Sequence, residues 1–349
     1  MKARVVIGAN FGDEGKGLAV DWLCSRGAGC VVRFNGGANA GHTVVTPEGQ
    51  RHVFRHFGSG TLLGVPTYLS QFFVCNPILF FEELHQLAAA GITPVVGAHP
   101  GCLVTTHIDM LVNQEKERVR GGKRHGSCGV GLHETLQRSR VPNLKITMGD
   151  LWNGGGLRDR LREIGTKWSS YRTGGKEFHG EEAVEAFLKC ALAFADFVHP
   201  MGIVHARDPV FEGAQGLLLS QDNEEYRPHL THSYTGMRNV RVLCDQAGMD
   251  PEVYYVSRTY LTRHGAGVLP GEDGALRYPD NTNNENPWQG PLRFGALDHH
   301  ALLARIRKDA DGNAYKLLMT HCDHRPLPLL ADFYSHGPAR TDVAEMCLV

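Results

Sequence analysis

The chain has 349 residues, 21% of them charged, and a formal net charge of −1, so it lacks the basic excess that a nucleic-acid-binding surface requires. Its apolar runs are too short to cross a bilayer, and the opening MKARVVIGANF lacks the apolar core of a signal peptide. We therefore expect a cytoplasmic protein that has neither nucleic-acid nor membrane partners.

Strand and helix patterns alternate along the chain, which predicts a parallel α/β sheet. The opening unit is the apolar strand ARVVIG, the helical stretch GKGLAVDWLCSRG and a second strand, CVVRF. The pattern recurs where YLSQFFV precedes ILFFEELHQLAAAG, whose apolar stripe suits a helix that covers a sheet. Later, HIDMLVNQEKERVRGG and EEAVEAFLKCALAFADFV predict helices, and DPVFEGAQGLLL, VYYVSRTYLT and YKLLMT predict strands.

No repeat, low-complexity tract or linker interrupts these elements. The stretch from GEDGALRYPD to NPWQGP is rich in Asn, Gly and Pro, which indicates a long loop and not a domain boundary. We predict one α/β domain over residues 1–349: a mostly parallel central sheet flanked by helices, with long functional loops.

The loop between the first strand and the first helix, residues 8–17, departs from known phosphate loops. A Walker A loop has Gly where Asn10 stands, and Ser or Thr where Gly17 stands. Asp13 and Glu14 place two carboxylates in a loop that should attract phosphate. The glycine spacing also differs from the dinucleotide-binding fingerprint.

The same loop nevertheless keeps the features of an anion site. Gly12, Gly15 and Gly17 permit a tight turn at a helix N-terminus, which offers free N–H groups, and Lys16 can reach a phosphate. Asp13 is suited either to ligate Mg²⁺ or to accept a proton. A plain Gly-rich turn with an acidic helix cap has the same composition, so this loop alone does not decide.

A second Gly-rich loop, FNGGANAGHTVV at residues 34–45, follows the next predicted strand. Its glycines allow backbone amides to approach a ligand, and His42 supplies an imidazole that can donate a proton. Because the two loops follow adjacent predicted strands, we expect both to face one crevice, the usual ligand site of an open α/β sheet.

In this order, GDEGKG and NGGANAGHT resemble the adenylosuccinate synthetase family. The later motifs GSCGVG, FEGAQGLLL, TRHGAGVLPGE and HGPART occur in the family's order and span nearly the whole chain. The resemblance implies a fold related to P-loop NTPases, with a phosphate loop of its own type, which explains the departure from Walker A.

The family's chemistry gives an expectation for the reaction. The resemblance implies a C–N ligase that phosphorylates the 6-oxygen of a purine nucleoside monophosphate with GTP, after which the amine of aspartate displaces the phosphate. It also implies Mg²⁺ as the cofactor and a homodimer.

The resemblance assigns roles around the two loops. Asp13 would take the purine N1 proton and ligate Mg²⁺, His42 would stabilise the leaving β–γ oxygen, and Gln215 would offer its amide to O6. Gly41 would give its carbonyl to the metal. The residues of the first loop implied in nucleotide binding are Gly12, Glu14, Gly15, Lys16 and Gly17.

Other positions match family contacts to the monophosphate. His264 would contribute mainly its backbone near the ribose. Arg138 or Arg140 would cross the dimer interface to the partner's phosphate, and the local alignment does not choose between them. The positions that match contacts to the phosphate itself are Asn39, Ser127 and Thr235.

The segment LMTHCDH resembles the family's site for the base of the triphosphate. Asp323 would accept hydrogen bonds from guanine N1 and N2, and Gly337 and Pro338 of HGPART would stack on the base. An acid here favours guanine because only guanine presents two donors on that edge. His321 replaces the family's Lys, which weakens the preference for GTP and leaves ATP as an option.

The largest departure from the family lies in TNNENPWQGPLRFGALD, residues 282–298. The family has a Thr-Thr-Gly-Arg-Arg-Arg-Arg run there, which clamps the carboxylates of aspartate and reaches the 2′-hydroxyl of the nucleotide. This chain keeps Arg293, our candidate for the amino-acid substrate. Each lost charge-assisted hydrogen bond would cost about 1.5–3 kcal/mol. Either aspartate is held differently, or the amine donor differs, or the nucleotide lacks the 2′-hydroxyl.

These options leave three functions open. The first is the ordinary reaction on IMP, which the retained Asp13 favours. The second follows phage relatives that act on dGMP and make a succino-2-aminoadenine deoxynucleotide, although those relatives often carry a smaller residue at this position. The third is a catalytically weak nucleotide-binding module, which would not need Asp13, His42 and Gln215 together.

Overall fold

The computed structural model of the chain describes residues 1–121, 127–168, 180–280, 291–325 and 331–346. Its strands are β1 (Lys2–Gly8), β2 (Cys30–Arg33), β3 (His42–Val45), β4 (Arg51–Phe54), β5 (Thr67–Leu69), β6 (Val74–Cys75), β7 (Val96–Ala98), β8 (Leu103–Val104), β9 (His199–Pro200), β10 (Pro209–Gly216), β11 (Asp250–Arg258), β12 (Leu261–Arg263), β13 (Arg293–Gly295), β14 (Tyr315–Thr320), β15 (Phe333–Ser335) and β16 (Val343–Glu345). Its α-helices are α1 (Lys16–Ser25), α2 (Pro77–Ala89), α3 (His107–Arg120), α4 (Leu132–Arg138), α5 (Met148–Asn153), α6 (Leu157–Trp168), α7 (Glu181–Phe197), α8 (Met237–Ala247) and α9 (His299–Ala310).

The central sheet contains ten of these strands, in the order β16-β15-β14-β11-β1-β10-β2-β5-β7-β9. Neighbouring strands pair in parallel, except β15 and β16 at one edge. This order confirms the predicted mostly parallel α/β fold. None of the helices in the described ranges combines the length and apolar character needed to cross a membrane.

Side chains of β1 alternate between the two covered faces of the sheet, as the two-residue period of a strand requires. Val5 and Ile7 are fully buried and pack in one core with residues of α8 and α9. Val6 is buried on the opposite face, where it packs with residues of α1. Both faces are therefore apolar, which explains the nearly continuous apolar run in the sequence.

The predicted adjacency of the first two strands is wrong. β10 lies between β1 and β2, and Val210 pairs in parallel with Arg4 on one side and Val31 on the other. Because β10 comes from the second half of the chain, local patterning could not reveal this insertion. Its consequence is that the end of β10, with Gln215, lies between the two Gly-rich loops.

Two predicted strands are interrupted in the structure. The stretch YLSQFFV divides into β5 and β6 because the chain turns at Ser70, whose carbonyl accepts from Phe73 N at 2.9 Å. The stretch VYYVSRTYLT divides into β11 and β12, because the chain bends at Thr259 and Tyr260 just after the last bond to β14, from Thr259 N to Thr320 O at 3.2 Å. β12 then pairs antiparallel with β13, outside the central sheet.

Candidate active site at the carboxyl ends of the central strands

The loops that follow β1, β10 and β2 meet at one edge of the sheet. A Cβ added to Gly12 would lie 3.3 Å from Gln215 Cα, so no larger residue fits there without displacement. A Cβ added to Gly36 would lie 3.5 Å from Gln215 Oε1 and 3.9 Å from Asn39 Oδ1. Gln215 thus contacts both loops, and the predicted common crevice forms with β10 at its centre.

The first loop turns tightly by using left-handed backbone conformations. Gly12 has φ 96°, Gly15 has φ 90°, and Asp13 between them has φ 58°. Asp is among the few non-glycine residues that occupy this region with some frequency. The turn ends at the N-terminus of α1, whose first N–H groups have no partner within the helix and are suited to an anion.

Gly17 stands where a Walker A loop has a hydroxyl, and packing explains why. A Cβ at this position would lie 2.4 Å from the carbonyl oxygen of Thr43 in β3. Such a distance is shorter than any real contact, so a Ser or Thr would push β3 away. The helix approaches the second loop closely because this residue has no side chain.

The two acids of the first loop have opposite environments. Glu14 is 2% exposed, accepts from Asn10 N, and lies 3.6 Å from Lys16 Nζ. Burial raises its pKa, and Lys16 opposes that rise. Asp13 is 29% exposed, and its Oδ2 is 3.9 Å from His264 Nε2. Asp13 is therefore the carboxylate that a substrate or a metal ion can reach.

A buried carboxylate orients His42. His42 Nδ1 lies 2.6 Å from Glu212 Oε1, and Glu212 also accepts from the hydroxyl of Ser59 and from Ser59 N at 3.0 Å. Burial would raise the pKa of Glu212, but His42, Arg33 and these hydrogen bonds lower it to about 2. Because Glu212 is ionised, Nδ1 must carry the proton, which leaves Nε2 for the site.

The electrostatics of the imidazole follow from the same cluster. Burial is the largest influence on His42 and lowers its pKa, while Glu212 raises it. Arg33 is fully buried, with its Nε 3.9 Å from Glu212 Oε2. His42 is thus held as a neutral ring of fixed tautomer beside an ionised carboxylate, so it is ready to respond to a bound anion.

Two amide oxygens at this edge are buried without a partner. Gln215 Oε1 and Asn39 Oδ1 have no hydrogen-bond partner in the part of the chain that the structure describes. Buried polar atoms of folded proteins are nearly always satisfied, so two unpaired amide oxygens in one crevice are candidate contacts for a ligand. Both residues were predicted to contact the nucleotide.

The other residues predicted to hold the monophosphate pack around the second loop. Ser127 Oγ accepts from Asn113 Nδ2 of α3 at 3.1 Å, and the adjacent Cys128 Sγ donates to Asn39 O at 3.8 Å. Thr235 is buried and donates to Gly216 O at 3.0 Å, directly after Gln215. The structure therefore brings these residues together at the same edge of the sheet.

The two arginines that were proposed for a dimer interface differ in exposure: Arg138 is buried and Arg140 is exposed. Arg138 is fully buried, lies 2.9 Å from Asp109 Oδ2, and donates to the carbonyl of Val104 at 2.7 Å. A guanidinium held in this way cannot reach another subunit, so the expectation for Arg138 is wrong. Arg140 is exposed and keeps the proposed role.

The residues predicted to bind the base of the triphosphate also come together. Cys322 N donates to Ser335 O at 3.1 Å, which joins the ends of β14 and β15. Asp323 follows, with 42% of its side chain exposed, and Gly337 O accepts from Ser335 Oγ at 2.7 Å. Pro338 is exposed in the same turn. These positions lie on neighbouring strand ends.

Thr320 and His321 connect this region to the first loop. Thr320 Oγ1 donates to Glu14 O at 2.8 Å and lies 2.9 Å from His321 Nδ1. Burial lowers the pKa of His321 to about 2, so the residue that replaces the family's Lys is neutral. It therefore brings no charge to the base site.

Arg293 does not have the free guanidinium that a substrate ligand needs. It lies 2.8 Å from Glu272 Oε2 and donates to the carbonyls of Gly265 and Gly267 at 2.9 Å and 2.8 Å. These contacts brace the turn that follows His264, so they do not support the expectation that Arg293 binds the amine donor. Residues 282–290 of the departing stretch, like Gly126 of GSCGVG, lie outside the described residues.

Sequence reasoning missed three residues that hold this site. Glu212 belongs to the motif FEGAQG, three residues before Gln215. That shared motif was the signal in the sequence that could have identified it. Arg258 is 4% exposed, donates to Asp13 O, and lies 2.9 Å from Asp280 Oδ2. Arg305 of α9 donates to Asn10 Oδ1. Nothing in the local sequence distinguishes either arginine.

The chain is similar to known proteins of one family. The adenylosuccinate synthetase family model matches residues 5–323. The adenylosuccinate synthetase of Burkholderia mallei is 32% identical over 289 residues, which are 77% of this chain and 62% of that protein. The chain thus spans less than two thirds of the length of the curated relatives that it matches.

Two solved structures share the fold. The fully ligated adenylosuccinate synthetase of Plasmodium falciparum superposes with a TM-score of 0.71 at 20% identity, covering 91% of this chain and 77% of that one. The succinoaminodeoxyadenylate synthetase of cyanophage S-2L, bound to dGMP and to dATP as an energy donor, gives 0.64 at 17% identity and covers 99% and 95%.

Proposed function

This chain belongs to the adenylosuccinate synthetase family, and on that premise we propose that it is a purine-nucleotide ligase. It phosphorylates the 6-oxygen of a purine nucleoside monophosphate with GTP and then lets the amine of aspartate displace the phosphate. IMP is the first candidate acceptor, and adenylosuccinate the product.

The observation that carries the proposal is the set of groups at one edge of the sheet. Asp13 is accessible, His42 is oriented by Glu212, and the amide oxygen of Gln215 is buried without a protein partner in the described ranges. A nucleotide-binding module needs no oriented imidazole and no accessible carboxylate in its phosphate loop. Their combination favours chemistry on a bound nucleotide.

Each of these three groups then acts in one step of the proposed reaction. Asp13 accepts the proton from purine N1, which makes O6 nucleophilic. The amide of Gln215 contacts O6 and positions the purine. Binding of the anionic triphosphate raises the pKa of His42, so Nε2 takes up a proton from solvent and then donates it to the leaving β–γ oxygen, while Nδ1–H stays bound to Glu212.

The phosphoryl group is held by the first loop. Lys16 is 4% exposed and lies at the start of α1, and the amides of Gly15 and Gly17 belong to the same helix N-terminus. In this way the loop combines a cation and backbone donors with the base. Glu14 lies 3.6 Å from Lys16 and offsets part of the cost of burying the charge of the lysine.

Asp13 fits a magnesium ion of the type that phosphoryl-transfer enzymes use. The described residues contain no group of three His, Cys, Asp or Glu side chains that could hold a metal. Mg²⁺ is commonly bound by one or two carboxylates, with water and substrate phosphates completing the shell. Asp13, with the carbonyl of Gly41, would hold the ion, which supplies charge neutralisation to the triphosphate.

The nucleotide donor and the oligomer remain proposals too. Asp323 favours GTP, and the neutral His321 weakens that preference, so ATP is a second donor. We propose a homodimer in which Arg140 reaches the phosphate bound by the partner. The exposed position of Arg140 supports this role.

A second acceptor, dGMP, is favoured by one observation in the sequence. The arginine run that reaches the 2′-hydroxyl in the family is absent from residues 282–292, so the sugar contact that distinguishes a ribonucleotide is lost. A neighbour of matching length, the cyanophage enzyme, carries dGMP in its structure. Asp13 still favours IMP, because the purine 2-amino group needs space beside that position.

A product assay tests the function. The protein is supplied with Mg²⁺, aspartate, GTP or ATP, and either IMP or dGMP, and products are identified by mass spectrometry. Succinylation of IMP supports the first candidate, and succinylation of dGMP alone selects the second. Nucleoside diphosphate release that requires neither monophosphate nor aspartate would contradict a ligase.

A further inference from the structure

The side of the site beside Phe11 contains two arginines, Arg263 and Arg305, that form no ion pair with any carboxylate of the described residues. Arg305 donates to Asn10 Oδ1 and forms no ion pair within the described residues. Arg263 is 2% exposed, its guanidinium carbon is 4.6 Å from the Phe11 ring centroid, and it binds two backbone carbonyls. Tyr226 lies within electrostatic reach of both arginines.

Arg305 is held in place, and no carboxylate of the described residues lies within ion-pair distance of it. Its acceptor, Asn10, is 2% exposed, donates Nδ2 to Ser257 Oγ at 2.9 Å, and is therefore rigid. Glu14, Asp298 and Glu225 act on Arg305 electrostatically without pairing with it, and Glu14 is already engaged by Asn10 N and Lys16. A guanidinium has five N–H donors, and a single amide oxygen accepts one of them. The remaining donors are available to a bound anion.

We propose that Arg305, oriented by Asn10, binds a carboxylate of the amine donor. This inference rests on the proposed function. The planar fork of a guanidinium matches a carboxylate, whereas Lys16 and the helix amides already serve the phosphoryl group. Arg263, which is buried against Phe11, adds positive charge to the same region. Arg305 thereby supplies a contact that the missing arginine run does not.

The test compares Arg305→Gln and Arg305→Lys with Arg307→Gln as the matched control. Arg307 is exposed on the same helix, α9. Loss of a charge-assisted hydrogen bond predicts that Arg305→Gln raises the KM for aspartate about 10- to 100-fold. The KM values for both nucleotides and kcat at saturating aspartate stay near those of the wild type. Arg305→Lys recovers part of the affinity, and Arg307→Gln behaves as the wild type.

Several outcomes would overturn this site. An unchanged KM for aspartate in Arg305→Gln would do so, as would a rise confined to a nucleotide KM, which would assign Arg305 to phosphate. A parallel fall of kcat and of the melting temperature, with no change in the KM for aspartate, would show that Arg305 only positions Asn10.

Direct binding keeps this inference separate from the proposed function. If the wild type makes no succinylated product, the function fails, and calorimetry with aspartate alone and with succinate alone then decides the site. Binding that is lost in Arg305→Gln and kept in Arg307→Gln supports a carboxylate site of another reaction. Absence of binding to the wild type in that case rejects the site as well.

Discussion

The two sides of the site hold their charges differently. Around the first two loops, charged side chains bind one another: Glu212 binds His42, and Glu14 lies beside Lys16. On the side of α9 and β12, arginines bind amide or carbonyl oxygens, as Arg305 and Arg263 do. An ion pair neutralises a charge, whereas a carbonyl only orients it. The first side is therefore organised for chemistry, and the second is left ready for an anion.

The largest effect is expected from Asp13→Asn, which removes the accessible carboxylate of the first loop. Removal of the base predicts a fall in turnover of about 10²–10⁴-fold. The melting temperature should hold, because Asn tolerates the φ of 58° at this position. Nucleoside diphosphate release and thermal unfolding measure both quantities, and near-normal turnover would refute the role of Asp13.

His42→Asn should have the next largest effect. Turnover is expected to fall about 100-fold, because proton donation to the leaving oxygen is lost. Nucleotide affinity should change little, since Lys16 and the loop amides remain. Steady-state kinetics with each nucleotide varied separates the two, and lost affinity at normal turnover would contradict the proposed role.

Glu212→Gln should lower turnover about 10-fold, because His42 loses its fixed tautomer. It should also cost about 3 kcal/mol of unfolding free energy near pH 7, because buried Arg33 loses its counter-charge. The pKa of Glu212 is about 2 in the fold against an ordinary 4.5, so its stabilisation is complete above pH 4.5 and is lost as the pH falls toward 2.

Urea unfolding of wild type and Glu212→Gln over a range of pH measures this contribution. The difference in unfolding free energy should be constant near neutral pH and shrink below pH 4.5. A difference that does not depend on pH would show that Glu212 acts by shape alone.

Arg293→Gln should have the smallest effect and sharpens the contrast with Arg305. Its partners are Glu272 and two carbonyls at the surface, so the loss should cost about 1 kcal/mol of stability. The KM for aspartate should change less than about threefold, well below the change in Arg305→Gln. Glu272→Gln is the matched control for the lost ion pair. An equal rise in the aspartate KM for both arginine variants would return Arg293 to the substrate site.

Much of this protein was determined by local sequence. Strand and helix periodicity predicted the parallel fold, and the loop motifs predicted the family, because spacing along a strand–loop–helix unit constrains neighbours directly. The placement of Asp13 beside a helix N-terminus and of His42 in a second Gly-rich loop follows from the same local rule. That residues 1–349 form a single domain stays a prediction.

Tertiary structure alone decided the rest. β10 enters between β1 and β2 from the second half of the chain, and only this pairing brings Glu212 to His42 and Gln215 between the loops. The contacts of the arginines also join residues that are distant in sequence. Arg138 is buried against Asp109, and Arg305 of α9 donates to Asn10 near the start of the chain. The role of a charged residue depends on the residues that pack against it. Contacts between residues that are distant in sequence produce no recognisable pattern of spacing along the chain.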